Sequence, residues 1–490
     1  MALAGYAFFL TRNSTDVAGG ADSSGYLNSA RLLAAGEFTA ALRTPPEFGP
    51  QDALHRKQFH PQGFIPFDGN PRLSPTYAVG LPLHLALVGK VFGWQRAPTI
   101  VGITSAISAL LLLYATGRRL GLPRELAAAG PLLLAAYPVF IFTTIQPLSD
   151  TLATTWCLAA IYCALRAPAH VGWAVAAGTA VAIAVLVRTT NALLLPAVLV
   201  LVGFDFRRLV GLILGGLPWA IWLGYYNDVL YGSPFRSGYV DITSAFAWRH
   251  GPPTVVHFAK WIALLLPAVV LVLPFTALTR RIFPPRILLA VTLWFSGFAG
   301  LYLFYEISHE AWWDLRFILP GTPALILGTL LGVQALAARW DPLVAARMRA
   351  VAGAGLALWA VGTGWFWTSE LHVLLTKTYE QGYADATAAA LRHFPANALV
   401  ISSLHSGALY YYTDFPVLRW ELVRPAEFES FRALLRKTGR PICALLYDLE
   451  EREALREKCP GPWVEIFRFK NISLWKLEEA TPAFPEASSK

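Results

Sequence analysis

The sequence predicts an α-helical polytopic membrane protein with about 11 spans plus an interfacial helix, carrying a small C-terminal extracytoplasmic α/β domain. Three observations predict it. Of 490 residues, 55% are hydrophobic and only 14% charged, against roughly 25% charged in a soluble domain. Several apolar runs reach about 17–22 residues, enough to cross a hydrocarbon core of roughly 30 Å. Arginine clusters fall between those runs, as the positive-inside rule requires of cytoplasmic loops.

In lipid such runs must be helical, because an unpaired backbone group there costs several kcal/mol. The helix candidates are 1–11, 76–93, 98–117, 126–145, 151–166, 172–188, 191–203, 209–225, 257–278, 287–305, 317–338 and 350–368. Residues 1–11 are too few to span and read as a first membrane helix cut short; they lack the basic flank and cleavage site of a signal peptide. The 17 Trp and 18 Tyr suit a chain with two membrane interfaces to line. A net charge of +9 raises nucleic acid as a partner. The arginines set topology instead, and no basic patch with interleaved aromatics occurs, so no nucleic acid is expected.

Arg118 and Arg119, Arg166, Arg207 and Arg208, Arg280, Arg281 and Arg286, and Arg339, Arg347 and Arg349 all go to the cytoplasm. The alternation is consistent when 76–93, preceded by Pro75 and carrying Pro82, His84 and Lys90, is interfacial or re-entrant. The outer face then receives the loop 12–75, the Gln146–Asp150 turn, the loop 226–256, the turn 306–316 and everything after about 369. The chain is therefore divided into a transmembrane domain, 1–368, with a catalytic first outer loop at 12–75, and an extracytoplasmic α/β domain, 369–490. Within the latter, 398–402, 442–447, 464–469 and 472–477 read as strands and 427–438 as an amphipathic helix. Cys157 and Cys163 lie in an apolar span as packing residues. Cys443 and Cys459 have the option of pairing if their domain meets an oxidising compartment.

The outer pieces carry the polar residues that chemistry needs. Asp22 heads Asp22-Ser23-Ser24-Gly25-Tyr26, followed by a Pro- and Gly-rich loop with His55, Arg56 and His60. A helix from Ser24 puts Tyr26 and Ala30 on one face and Asp22 at the cap, so a capping role and a catalytic base both fit. Asp150 is either the cap of the helix starting at Thr151 or a second acid, as metal ligand or acceptor contact. Arg316, in Trp312-Trp313-Asp314-Leu315-Arg316-Phe317, is a lone arginine at a helix mouth. It either snorkels or binds a lipid phosphate through its planar fork. Arg236, beside the Gly232-Ser233-Pro234 turn, is a second phosphate contact by the same reasoning, and Arg188, between two apolar runs, needs a partner or a wet cavity. His309-Glu310 reads as metal ligands, acceptor contacts or a solvated pair; no second His completes a zinc-protease motif. Neither a phosphate loop nor a Gly-x-Ser-x-Gly elbow is present.

Together these pieces resemble the GT-C membrane glycosyltransferases, the superfamily of the dolichyl-phosphate-mannose protein mannosyltransferases and the lipid A aminoarabinose transferase. Asp22 with Tyr26 and Ala30 is similar to the acidic motif of the first outer loop. Ser74-Pro75-Thr76-Tyr77 with Gly80-Leu81-Pro82-Leu83 and Phe92-Gly93 resembles the start of the next helix. Gly117-Arg118-Arg119-Leu120-Gly121 resembles the inner basic turn, and Arg316-Phe317 with Leu319-Pro320 the Arg-aromatic-x-Leu-Pro motif. Asn227 with Gly232-Ser233-Pro234-Phe235 is similar to a recurrent loop. The likeness covers about 12–340. Many members have Asp-Glu where this chain has Asp22-Ser23, so a second acid has to come from elsewhere, such as Asp150 or Glu310. The resemblance implies inverting transfer of a sugar from a polyprenyl-phosphate donor to a lipid, glycan or protein acceptor, on the outer face of a bacterial inner membrane. It implies Asp22 as general base, with Tyr26, Asp150, Arg188, Arg236, His309, Glu310 and Arg316 as substrate contacts. No cofactor is required by it, and a divalent metal stays open. A transporter or flippase of a lipid-linked sugar is the competing class; it predicts two matching halves with broken helices, which the sequence lacks.

Overall fold

The computed structural model describes residues 2–49, 57–66, 72–239, 242–272 and 278–478; His55 and Arg56 lie outside them. The chain forms two compact units. One comprises Met1–Asp16, Ser29–Gly36 and Ala78–Tyr379; the other gathers Val17–Asn28, Glu37–Tyr77 and Glu380–Lys490.

The first unit is helical and makes the chain an integral membrane protein. Among the described residues, five helices are long and apolar enough to cross a bilayer: Ala97–Arg119, Phe206–Tyr231, Pro285–Tyr302, Trp312–Ala337 and Pro342–Glu370. A sixth crossing is available if Arg124–Ala135 and Pro138–Thr144, bent by 61° at their junction, form one span. Pro138 causes that break, since it cannot donate to the preceding turn. Other runs are shorter as helices than as sequence. The run 257–278 divides at Leu266 before Pro267 and continues beyond the described residues. The 76–93 run becomes the 13-residue helix Gly80–Phe92.

Two helices of this unit touch through backbone. A Cβ on Gly178, in Val171–Val187, would lie 1.9 Å from the Leu212 carbonyl oxygen, and one on Gly215, in Phe206–Tyr231, would lie 2.0 Å from that of Val175. Small residues are the general means of bringing membrane helices together, since lipid offers no hydrophobic drive. The core beneath includes Phe140, Leu158, Trp294, Phe298 and Leu330. Trp294 satisfies its buried indole by donating to the Pro320 carbonyl at 2.8 Å.

The second unit holds two sheets. Strands β1 (Phe64–Pro66) and β2 (Leu73–Pro75) pair antiparallel with Ile65 opposite Ser74. Strands β3 (Leu399–Ile401), β4 (Val417–Leu418), β5 (Ile442–Tyr447), β6 (Trp463–Phe469) and β7 (Ile472–Leu477) form a sheet in the order β4-β3-β5-β7-β6. The β4, β3 and β5 strands run parallel and the rest antiparallel. Side chains alternate between two cores. Leu399, Ile401, Ile442, Ala444 and Leu446 meet Phe428, Phe431 and Leu435 of the helix Pro425–Thr438. Val400, Cys443 and Leu445 meet Ala386, Ala389 and Ala390 of the helix Thr376–His393. Burial on both faces explains why β3 and β5 read as continuous apolar runs. Cys443 and Cys459 are both buried as free thiols.

The segment 37–66 belongs to this unit for physical reasons. Phe48 and Phe59 enter the core beside Phe431, with Phe48 at 5.0 Å from the Phe431 ring and 5.3 Å from that of Phe59. Arg43 sits 3.9 Å over the Tyr410 ring and donates to the Tyr410 and Thr413 carbonyls. Glu47 pairs with Arg440 at 2.9 Å.

Gly178→Ala is expected to lower stability by about 1–3 kcal/mol, because the obstacle is backbone. Gly355→Ala, in a helix and with nothing within 4 Å, is expected to be neutral or slightly stabilising. Thermal unfolding of the two variants in detergent checks the contrast.

Candidate functional site

Two polar clusters emerge, one in each unit. In the membrane unit, the helix Val171–Val187 ends where Arg188 turns extended, and the Asn191 side chain donates to the Ala184 carbonyl at 2.8 Å to satisfy the helix end. Arg188 is thereby projected to Asp150, with which it makes a hydrogen-bonded ion pair. Asp150 is buried in the first turn of Asp150–Arg166, where the cap position is Ser149 and is made without a side-chain capping bond. The aspartate thus serves the arginine and not the helix end as an N-cap.

Phe317 organises the rest. The Arg188 guanidinium lies 5.6 Å from its ring and that of Arg316 5.2 Å, within cation–π range. Tyr302 stacks on it at 5.2 Å and Tyr305 meets it edge-on at 5.3 Å. Thr190 and Tyr302 hydroxyls hydrogen-bond at 3.0 Å. Burial pushes the Tyr305 phenol up and the positive charges of Arg188 and Arg316 oppose it. Asp150, Arg188 and Arg316 therefore sit in one electrostatic neighbourhood.

The other residues singled out in this unit make different contacts. His309 lies 5.6 Å from the His250 ring and hydrogen-bonds Thr254 at 3.3 Å. Glu310 beside it is exposed. Arg236 is exposed in its turn, its backbone N–H on the Ser233 carbonyl at 3.2 Å. Among the described residues, no three His, Cys, Asp or Glu side chains converge as metal ligands. An apolar groove of about 980 Å³ runs along the helices Val171–Val187 and Phe206–Tyr231, lined by Val181, Leu212, Trp219, Ile221 and Phe235.

In the second unit, Asp22 lies half-buried in the first turn of Ala21–Ala34. The small residues after it let other segments close in. A Cβ on Gly25 would stand 2.4 Å from the Tyr77 ring, and one on Gly63, at φ +89°, the same distance from the Gly25 Cα. Tyr26 and Tyr77 rings pack at 5.0 Å. Asn28 donates to the Gly407 carbonyl at 3.1 Å.

A second acid absent from the sequence reading lies here. Glu380, near the start of Thr376–His393, reaches the turn before Asp22: a Cβ on Gly19 would lie 2.0 Å from its Oε2. Ser23 and the Gly20 backbone hydrogen-bond to the carboxyl group. Burial, with a smaller contribution from the Asp22 charge, raises its pKa to about 7. Tyr383, one turn on, hydrogen-bonds Tyr447. His405 is sandwiched between them at 4.9 and 4.4 Å, driven by burial down to about 3. The one sequence signal was helical spacing: Glu380, Tyr383 and Thr387 recur at three and four residues, on one face of their helix.

Arg188→Ala leaves Asp150 buried and uncompensated, an expected loss of about 3–5 kcal/mol. The paired Asp150→Asn/Arg188→Gln change is expected to recover part of that loss. Unfolding midpoints of single and double variants decide it.

The model of the dolichyl-phosphate-mannose-protein mannosyltransferase family matches residues 78–221. No curated protein matches the sequence. Among solved structures, the fold is similar to ArnT from Cupriavidus metallidurans bound to undecaprenyl phosphate, with TM-score 0.60, 15% identity and 97% of each chain covered. It is similar to the oligosaccharyltransferase of Archaeoglobus fulgidus, with TM-score 0.56 and 13% identity over 92% of this chain and 69% of that one. It is also similar to the mycobacterial arabinofuranosyltransferase AftD, with TM-score 0.50 and 13% identity over 93% of this chain and 40% of that one.

Proposed function

We propose that this chain, whose fold is that of the GT-C superfamily, is an inverting glycosyltransferase that moves a sugar from a polyprenyl-phosphate donor to an acceptor hydroxyl. We place the reaction on the extracytoplasmic face of a bacterial inner membrane. The observation that carries the reading is the convergence of Arg188 and Arg316 on Phe317 within the membrane unit. Two guanidiniums beside one ring, one of them ion-paired to Asp150, form a ready seat for a lipid phosphate. The apolar groove offers an isoprenoid tail about 980 Å³.

In this reading Asp22 accepts the proton of the acceptor hydroxyl as that oxygen bonds to the sugar C1. The C1–O bond to the phosphate breaks at the same time, and its electron pair leaves with the phosphate. Arg316 and Arg188 offset the charge that grows there. Tyr26, Arg236, His309 and Glu310 are assigned to substrate contacts. A divalent metal stays an open component, and no step is routed through one.

Asp22→Asn is expected to lower transfer by roughly 10²–10⁴-fold, the range of a lost general base, with donor binding retained. Unchanged turnover would remove Asp22 from the reaction. Arg316→Ala is expected to weaken donor binding by roughly tenfold to a hundredfold, a charged hydrogen bond's worth. Mass spectrometry of membrane lipids from cells with and without the protein identifies the donor: one polyprenyl-phosphate sugar should accumulate when the protein is absent or carries Asp22→Asn. An unaltered lipid profile in both would argue against the donor class.

A further inference from the structure

The residue that the reaction scheme leaves unused is Glu380. Its carboxyl group is pressed against the Gly19–Gly20 turn that leads into the helix bearing Asp22. Oε2 faces the Gly19 Cα, where any side chain would collide with it. That oxygen is buried and has no hydrogen-bond partner among the described residues. The donors present, Ser23 and the Gly20 backbone N–H, serve the same group. A carboxylate anion seeks donors on both oxygens, so an oxygen left without one suits an uncharged acid.

The surroundings point the same way. Asp22 faces Glu380 from the helix Ala21–Ala34, Tyr383 from its own helix, and Tyr447 from the end of β5. Glu450 lies beyond, in the field of both tyrosines. His405, between the tyrosines, is held neutral by burial. None of these groups brings a positive charge to offset a second carboxylate. Two acids in such a place share their charge unequally: one keeps the proton and the other stays ionised.

We propose that Glu380 is a positioning residue for Asp22, holding a proton beside it and, while neutral, keeping the Gly19–Gly20 turn seated and the pair's single negative charge on Asp22. The inference rests on the reading of Asp22 as the base. Loss of the proton puts a second charge beside Asp22 and leaves Oε2 charged without a donor. The side chain then has to swing out, and the turn that aims Asp22 loosens.

Infrared spectroscopy of the full chain in liposomes reads this directly. Wild-type protein should show a protonated carboxylic C=O band at pH 6 that fades as pH rises through about 7, and Glu380→Gln should lack it. No difference between the two at pH 6 would overturn the proposal. The pH profile is the second readout, taken as release of polyprenyl phosphate from polyprenyl-phosphate mannose, or from the donor the lipid survey identifies. Activity should fall roughly tenfold from pH 6 to pH 8 in wild type, the change expected when one group titrating near 7 must keep its proton. Glu380→Gln, neutral at every pH, should stay within about threefold of wild type at pH 6 and lose the alkaline fall. Gly19→Ala, which displaces the carboxyl group without removing it, should lower activity at pH 6. A Glu380→Gln variant as inactive as Asp22→Asn, or one that keeps the alkaline fall, would sink the idea. The infrared band reports on Glu380 irrespective of turnover. An active Asp22→Asn variant would therefore end the base assignment while leaving the protonation of Glu380 separately decided.

Discussion

An ion buried among membrane helices has to be answered by an opposite one, and Asp150 with Arg188 is where this chain meets that demand. The pair fixes more than itself. Arg188 can reach Asp150 only because the helix Val171–Val187 stops and the backbone turns extended. That break is sustained by the Asn191 side chain and followed by the turn that brings Thr190 to Tyr302. On the other side, Thr151 next to Asp150 bridges the hydroxyls of Thr143 and Thr144 at 2.9 and 3.0 Å. The bent segment ending at Thr144 is thus tied to the aspartate's helix. Remove the attraction between two charges and several breaks in apolar helices lose their reason.

The second unit solves a different problem. There the Glu380 carboxyl group is held by close backbone approach, and no cation is among the groups that shift it. Gly19, Gly25 and Gly63 each occupy a place where a side chain would collide with Glu380, Tyr77 or a neighbouring backbone.

The fold class was legible because membrane helices write themselves in length and hydropathy, and the sheet because β3 and β5 read as apolar runs. Helix limits were less legible. Pro267 divides what looks like one run, Pro138 bends another, and Pro342 starts a helix eight residues before its apolar stretch becomes evident. Asp150 and Arg188 were each visible as awkward charges, yet their pairing was not, since nothing local joins two residues separated by two helices. Arg316 stood out as a lone cation, and its neighbour Phe317 proved to be the ring that collects both arginines. Glu380 was invisible for the opposite reason. On a helix with one solvated face an acid is unremarkable, and only the turn folded against it reveals its burial.

Phe48 and Phe59 give the tail of the chain a practical property. They complete the apolar filling beneath Phe431, so a recombinant fragment beginning at Glu380 would lack a wedge supplied by the opposite end of the gene. Anyone wishing to study that portion in water would have to splice residues 37–66 back on, because the polypeptide's two extremities are knitted into one folding module.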